Sequence, residues 1–148
     1  MYDSGRFTDA IAAWTQALTL AQRQKPNNLT QQAIAHNYLA IAHQALSQWD
    51  LAEVHIQQGL TLLGNTQHSA FLTAQLLNTQ GSNQLQTGNA IAALDSWQAA
   101  HDLYQRLDSA DEKVALIRVR INQVQALRVL GFYRRAQTTL DTIRNELD

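Results

Sequence analysis

The sequence predicts an all-α chain, a solenoid of antiparallel helix pairs, and three observations carry that expectation. Helix formers dominate: Ala, Leu and Gln run nearly end to end, alternating strand formers are scarce, and Pro26 is the single proline. Apolar and small residues recur three and four apart, the spacing of one helix face. The third observation is a repeat. The alanines that follow successive turns, Ala10, Ala52, Ala93 and Ala136, stand 42, 41 and 43 residues apart, a period that marks stacked helical hairpins.

The best-preserved copy is residues 76–103, LLNTQGSNQLQTGNAIAALDSWQAAHDL, two helices around one turn. Gly81 and Gly88 stand seven apart, and Ala93, Trp97, Ala100 and Leu103 follow at helical spacing. Small residues here let the helices touch closely, and the turn glycine accepts a conformation that other residues resist.

Taken in order, the chain repeats this unit. From Gly5, GRFTDAIAAWTQALTL puts Ala10, Trp14, Ala17 and Leu20 where Ala93, Trp97, Ala100 and Leu103 stand. Gly5 is therefore expected in a turn. Only Tyr2 remains of the helix that should precede it, so residues 1–27 read as the second helix of a truncated pair and Met1 is not expected to be a natural beginning. Pro26-Asn27-Asn28 ends that helix, since proline cannot continue the hydrogen-bond ladder. Residues 28–66 form the next pair. Ala33, Tyr38, Leu39, Ala42 and Leu46 mark its first helix, Ser47-Gln48-Trp49-Asp50 its turn with Asp50 as expected N-cap, and Ala52, Ile56, Gly59, Leu60 and Leu63 its second. Gly64-Asn65 supplies a stop, and His68-Ser69 leads into the third unit, 67–107. In 108–148, Ser109 or Asp111 caps a helix with Leu116, Val119, Val124, Leu127 and Leu130. Gly131 turns the chain, and Ala136, Leu140 and Ile143 line the last helix. The expectation is one domain of about seven helices, within a longer protein.

Composition narrows the function. A formal net charge of −1 provides no global field for nucleic acid or an anionic membrane. With no cysteine, these residues hold no disulfide, thiolate metal site or cysteine nucleophile. No apolar run approaches the roughly 18 residues that span a bilayer, and the first residues lack a signal-peptide pattern, which leaves the compartment open. There is no G-x-S-x-G elbow, Walker loop or Gly-rich dinucleotide turn. Asp108, Asp111 and Glu112 sit at a helix start, where carboxylates favour the positive end of the dipole. His36 and His43 share a helix face but lie about 10 Å apart along the axis, too far to share a metal. The five histidines read as structural or solvated. No catalytic residue, metal or cofactor is expected.

The second helices match a tetratricopeptide repeat: a turn Gly, an aromatic two later (Phe7, Trp49, Tyr133), Ala three beyond, then a pair such as Trp14/Ala17, Ile56/Gly59, Trp97/Ala100 and Leu140/Ile143. Ala90 replaces the aromatic in one unit and Ser47 the glycine in another. The basic repeat is about 34 residues, so each unit carries about eight more, roughly a helical turn on each helix. More narrowly, YDSGRFTDAIAAW, LNTQGSNQLQTGNAIAALDSWQ and INQVQALRVLGFYRRAQTTL resemble the repeat region of cyanobacterial-type proteins that end in a CHAT domain, a caspase-like module. That resemblance implies a right-handed superhelix and a protease-like domain downstream, with no catalysis carried onto this cysteine-free stretch.

The repeat resemblance also assigns the inner, concave groove to the first helix of each pair: Asn37, Ile41 and Gln44, then Gln75, Asn78, Ser82 and Leu85, then Arg118, Ile121, Asn122, Gln125 and Arg128. Asparagine and glutamine offer donors and acceptors to an extended peptide backbone, and the arginines suit a carboxylate. The same residues read equally as a solvated face. Lys25 and Lys113 fall outside these positions, so the lysine–asparagine clamp of chaperone-tail-binding relatives is unmatched. The tryptophans occupy packing positions, with Trp14 alternatively an exposed anchor. Arg118, Arg120, Arg128, Arg134, Arg135 and Arg144 make the last unit basic, a face for ion pairs or for a docked downstream domain. The expected function is a protein- or peptide-binding scaffold, the sensing or docking arm of a larger CHAT-domain protein. Its alternatives are a spacer that self-associates through its uncapped ends, or a peptide-pheromone sensor, which would require an effector segment.

Overall fold

The computed structural model describes residues 4–24, 28–64, 69–107 and 109–148. Its elements are α1 (Ser4–Arg23), α2 (Leu29–Ala45), α3 (Trp49–Leu63), α4 (Ala70–Gln86), α5 (Ala90–Arg106), α6 (Ala110–Val129) and α7 (Tyr133–Leu147). The described residues contain no strand. Each helix packs on the next, and α2 also meets α4 as α4 meets α6, while packing between α3 and α5 or α5 and α7 is sparser. Helices α2, α4 and α6 therefore lie on the inside of an α-solenoid-like stack.

Three turns share one geometry. Ser47, Gly88 and Gly131 take positive φ angles of 58°, 89° and 81°. The N–H groups of Gln48, Asn89 and Phe132 then donate five residues back to His43, Gln84 and Leu127, at 2.9, 2.8 and 2.8 Å. Those of Ser47, Gly88 and Gly131 donate three residues back, at 2.9, 3.1 and 3.0 Å. This paired closure satisfies the last carbonyls of each first helix and reverses the chain within three residues. Ser47 adopts the left-handed conformation at the cost that its Cβ imposes.

Two details depart from the sequence expectations. Gly5 is not a turn residue: α1 starts at Ser4, and Gly5 lies in its first helical turn. A turn at Gly5 would need the end of a preceding helix, and the described residues begin with α1 itself. Asp50 is not an N-cap. Helix α3 begins at Trp49, leaving Asp50 in the first turn, and the cap position belongs to Gln48, whose side chain makes no cap bond. The turn closure sets the helix start one residue after Gln48, which decides both points. Asn28 and Asn89 do cap α2 and α5, accepting from the N–H of Gln31 and Ala92 at 3.0 and 3.1 Å. Gly64 stops α3 with φ 44°, and Ser109 occupies the cap position of α6 with Asp111 and Glu112 in the first turn. The expectations for Tyr2, Pro26, Asn65, His68 and Asp108 fall outside the described residues.

The repeated alanines are core residues where two helices of a pair cross: Ala52, Ala93 and Ala136 are buried, whereas Ala10 is half-buried. Trp97 is the largest fully buried side chain. It lies directly over Gly81, where an added Cβ would meet its Nε1 at 2.5 Å, and that Nε1–H donates to the Asn78 carbonyl at 3.1 Å. Its repeat equivalent, Trp14, is half-buried and stacks on Tyr38, ring centres 4.5 Å apart and planes 9° from parallel. Trp49 is half-buried beside its turn.

Candidate functional site

The inner face is built from α2, α4 and α6, and its amides bond across the seams between these helices. Asn37 is buried, its Oδ1 accepting from Thr79 Oγ1 at 2.7 Å. Gln44 donates through Nε2 to the Thr79 carbonyl at 2.9 Å. Asn122 Nδ2 donates to Asn78 Oδ1 at 2.9 Å. Ser82 Oγ donates to the Asn78 carbonyl within α4, at 3.3 Å. The Asn37–Thr79 and Asn78–Asn122 pairs span 42 and 44 residues, about one repeat each. These bonds tie α2 to α4 and α4 to α6, and meet the rule that buried polar groups find partners.

The other predicted groove residues divide by place. Ile41 and Ile121 are each 43% exposed. Gln75 is half-buried and lines a hollow. Arg118, Gln125 and Arg128 are exposed. Leu85 packs against the core around Trp97 and belongs to the interior.

Two hollows open on this face. One, of about 310 Å³, lies between Asn37 and Ile41 of α2, Gln75 and Asn78 of α4, and Val114 and Arg118 of α6. Tyr104 of α5, 3% exposed, borders it. Burial pushes the Tyr104 phenol up to about 12, with Arg118 pulling it down and Glu112 pushing it further up, so the hollow presents a neutral phenol. The other, about 700 Å³, lies between Ile41 and Gln44 of α2, Ser82 and Gln86 of α4, and the turn at Ser47 and Trp49. The structure thus gathers Asn37, Ile41, Gln75, Asn78 and Arg118 at one hollow and Ile41, Gln44 and Ser82 at the other. Ile121, Asn122, Gln125 and Arg128 border neither.

Sequence reasoning missed four residues here. Tyr38 and Val114 are 45% and 59% exposed and border the smaller hollow with Ile41. Thr79 and Asn83 hold the α2–α4 seam. Tyr38 corrects an expectation: it reads with Ala33, Leu39, Ala42 and Leu46 as part of the apolar pattern of α2, but one step around the helix from Leu39 it turns out of the core and is 45% exposed. Thr79 and Asn83 lie four apart on one strip of α4, a spacing that marks a shared face but does not name its neighbour.

Elsewhere, Arg120 pairs with Glu146 at 2.6 Å and Arg144 with Asp141 at 3.2 Å, and Arg135 lies over the Phe132 ring at 5.7 Å. Much of the basic last unit is therefore engaged locally. No group of three or more His, Asp or Glu among the described residues is placed to hold a metal ion. No described helix is long and apolar enough to cross a membrane. Comparison with known protein families, with curated proteins and with solved structures found no match.

Proposed function

We propose that this chain is a non-catalytic protein- or peptide-binding scaffold whose α2–α4–α6 face receives its partner. The observation that carries the reading is the exposure of Tyr38, Ile41, Val114 and Ile121 on the inner side of the stack, at 45, 43, 59 and 43%. Tyr38, Ile41 and Val114 beside the hollows, and Ile121 farther along α6, provide the binding area, while the polar cross-links keep the floor rigid, which lowers the ordering cost of binding. With Asn37, Gln44, Asn78 and Asn122 occupied between helices, polar recognition falls to Gln75, Gln125, Arg118 and Arg128. An extended acidic segment fits this set, its side chains on the isoleucines and a carboxylate on an arginine. The resemblance of the repeats to tetratricopeptide and CHAT-protein repeats supports reading the scaffold as the sensing or docking arm of a larger protein, with a downstream effector as one partner.

Fluorescence anisotropy of the chain against a library of labelled acidic peptides tests the assignment. Ile41→Asp with Ile121→Asp, and separately Arg118→Glu with Arg128→Glu, should each weaken binding at least tenfold, about 1.4 kcal/mol. A wild-type chain that binds no peptide, or variants with unchanged affinity, overturns it.

One observation favours a second reading, self-association through an end of the stack. Val129, Phe132 and Tyr133 are 69, 48 and 69% exposed around the α6–α7 turn. Trp49, the repeat equivalent of Tyr133, instead has its carbonyl bonded by Asn83 Nδ2 of the following pair at 3.3 Å. Light scattering that shows a concentration-dependent dimer, lost in Tyr133→Glu, would support this reading.

A further inference from the structure

Three histidines meet where α2 packs on α3. His36 and His43 are buried on α2, and His55 of α3 stands against both. The Nδ1 atoms of His36 and His55 are 3.0 Å apart. The His55 ring stacks on His43, centres 5.4 Å apart and planes within 10°. His43 Nδ1 in turn faces Gln48 Oε1 in the α2–α3 turn at 2.7 Å. An amide oxygen only accepts, so His43 carries a proton on Nδ1; two facing imidazole nitrogens bond only if one carries hydrogen and the other a lone pair. All of these contacts are satisfied with the three rings neutral.

Among the described residues, no carboxylate pairs with any of the three rings. Helices α2 and α4 contain no carboxylate, lysine or arginine. On α3, Glu53 accepts from Gln57 at 2.8 Å and from Asn83 at 3.1 Å, and Asp50 is exposed in the first turn. From α1, the residues that share the hollow beside His36 are Leu18 and Gln22, not the charged Arg6, Asp9 or Arg23.

We propose that the facing pair His36 and His55, with His43 stacked on His55, forms a pH-sensitive clasp between α2 and α3, closed while the pair is neutral and loosened when the pair takes up protons. Once both members of the 3.0 Å pair are protonated, two N–H donors face each other with no acceptor between them, and two charges share a poorly solvated site. Burial holds His36 below the usual 6.5 and His55 at about 4, the latter helped by repulsion from His36 and His43. The unfolded chain, titrating near 6.5, therefore binds these protons first, and stability falls as the pH drops from about 6.5 toward 4. The clasp also reaches the inner face, because α2 presents Asn37 and Gln44 to α4.

The next pair supplies its own control. Counting from the equivalent turn residues Ser47 and Gly88, the positions of His36, His43 and His55 hold Leu77, Gln84 and Ser96. Ser96 Oγ donates to Gln84 Oε1 at 2.7 Å, so the polar pair is kept without a titratable group. The test is thermal unfolding by circular dichroism, between pH 7.5 and 5, of the wild-type chain and of the triple variant His36→Leu, His43→Gln, His55→Ser. The wild-type Tm should fall by roughly 5 °C more than that of the variant. An equal fall in both overturns the clasp. Nitrogen-detected NMR titration of the wild-type imidazoles keeps the proposal open to refutation if the variant does not fold. His36 and His55 both titrating below a free imidazole support it, and either titrating at or above the free-imidazole value overturns it.

Discussion

The α2–α3 and α4–α5 hairpins are two copies of one unit that solve the same packing problem with different chemistry. At the closest crossing, the second hairpin sets Trp97 over Gly81, and the first sets Ile56 at the equivalent position, with Ala40 opposite. Ala40, Ile56 and Trp97 are all fully buried. Volume is conserved across the pair rather than at either position, as close-packed interiors demand. At the polar positions beside it, one hairpin uses imidazoles and the other an amide and a hydroxyl. Repeat architecture fixes where a polar pair sits, and the side chains chosen decide whether that pair responds to pH.

The sharpest way to break this comparison is to empty the crossing. Trp97→Ala should cost about 4 kcal/mol and Ile56→Ala about 3, because the larger ring leaves the larger cavity; urea unfolding measures both, and a Trp97 loss smaller than that of Ile56 would contradict the packing described. Next in size, Gly81→Ala should destabilise by about 2 kcal/mol through overpacking against Trp97. Adding Trp97→Ile, which copies the first hairpin, should recover part of that loss, and strict additivity would refute the shared geometry. Hydrogen exchange separates the polar chemistries: at pH 5, amides of α2 and α3 should lose protection before those of α4 and α5, and a uniform loss would erase the difference. Smaller still, Asn89→Ala should cost about 1 kcal/mol through its cap bond, a role that Gln48 does not fill. The least effect is a gain. Ser47→Gly should stabilise by about 0.5 kcal/mol, since glycine relieves the left-handed strain at some entropic cost.

The helix order was legible because helical spacing and turn chemistry are local. Ala52, Ala93 and Ala136 could be read as buried from their period alone, and Gly88 and Gly131 as turn residues from theirs. Gly5 misled by the same logic: it carries the repeat signature without a preceding helix to cap among the described residues. The groove residues were legible as a helix strip but not as partners. Asn37, Gln44, Asn78 and Asn122 present the same sequence whether they bond a peptide or the neighbouring inner helix, and only the distance between inner helices distinguishes the two. Leu85 sat on the assigned strip and yet faces the core, because the strip winds around the helix as it advances.

Spacing along α2 put His36 and His43 on one side and too far apart to share a metal. The missing member came from another helix. His55 enters between them because α3 folds back at Ser47 and slides into a particular register, and nothing in a helix's own periodicity states the register of its neighbour. Local rules, written in steps of three, four and about forty-two residues, were enough for an all-helical stack with turns where they occur. Which polar atoms close on each other, which isoleucines stay open and which histidines meet depend on contacts across tens of residues, and those are settled only when the helices pack.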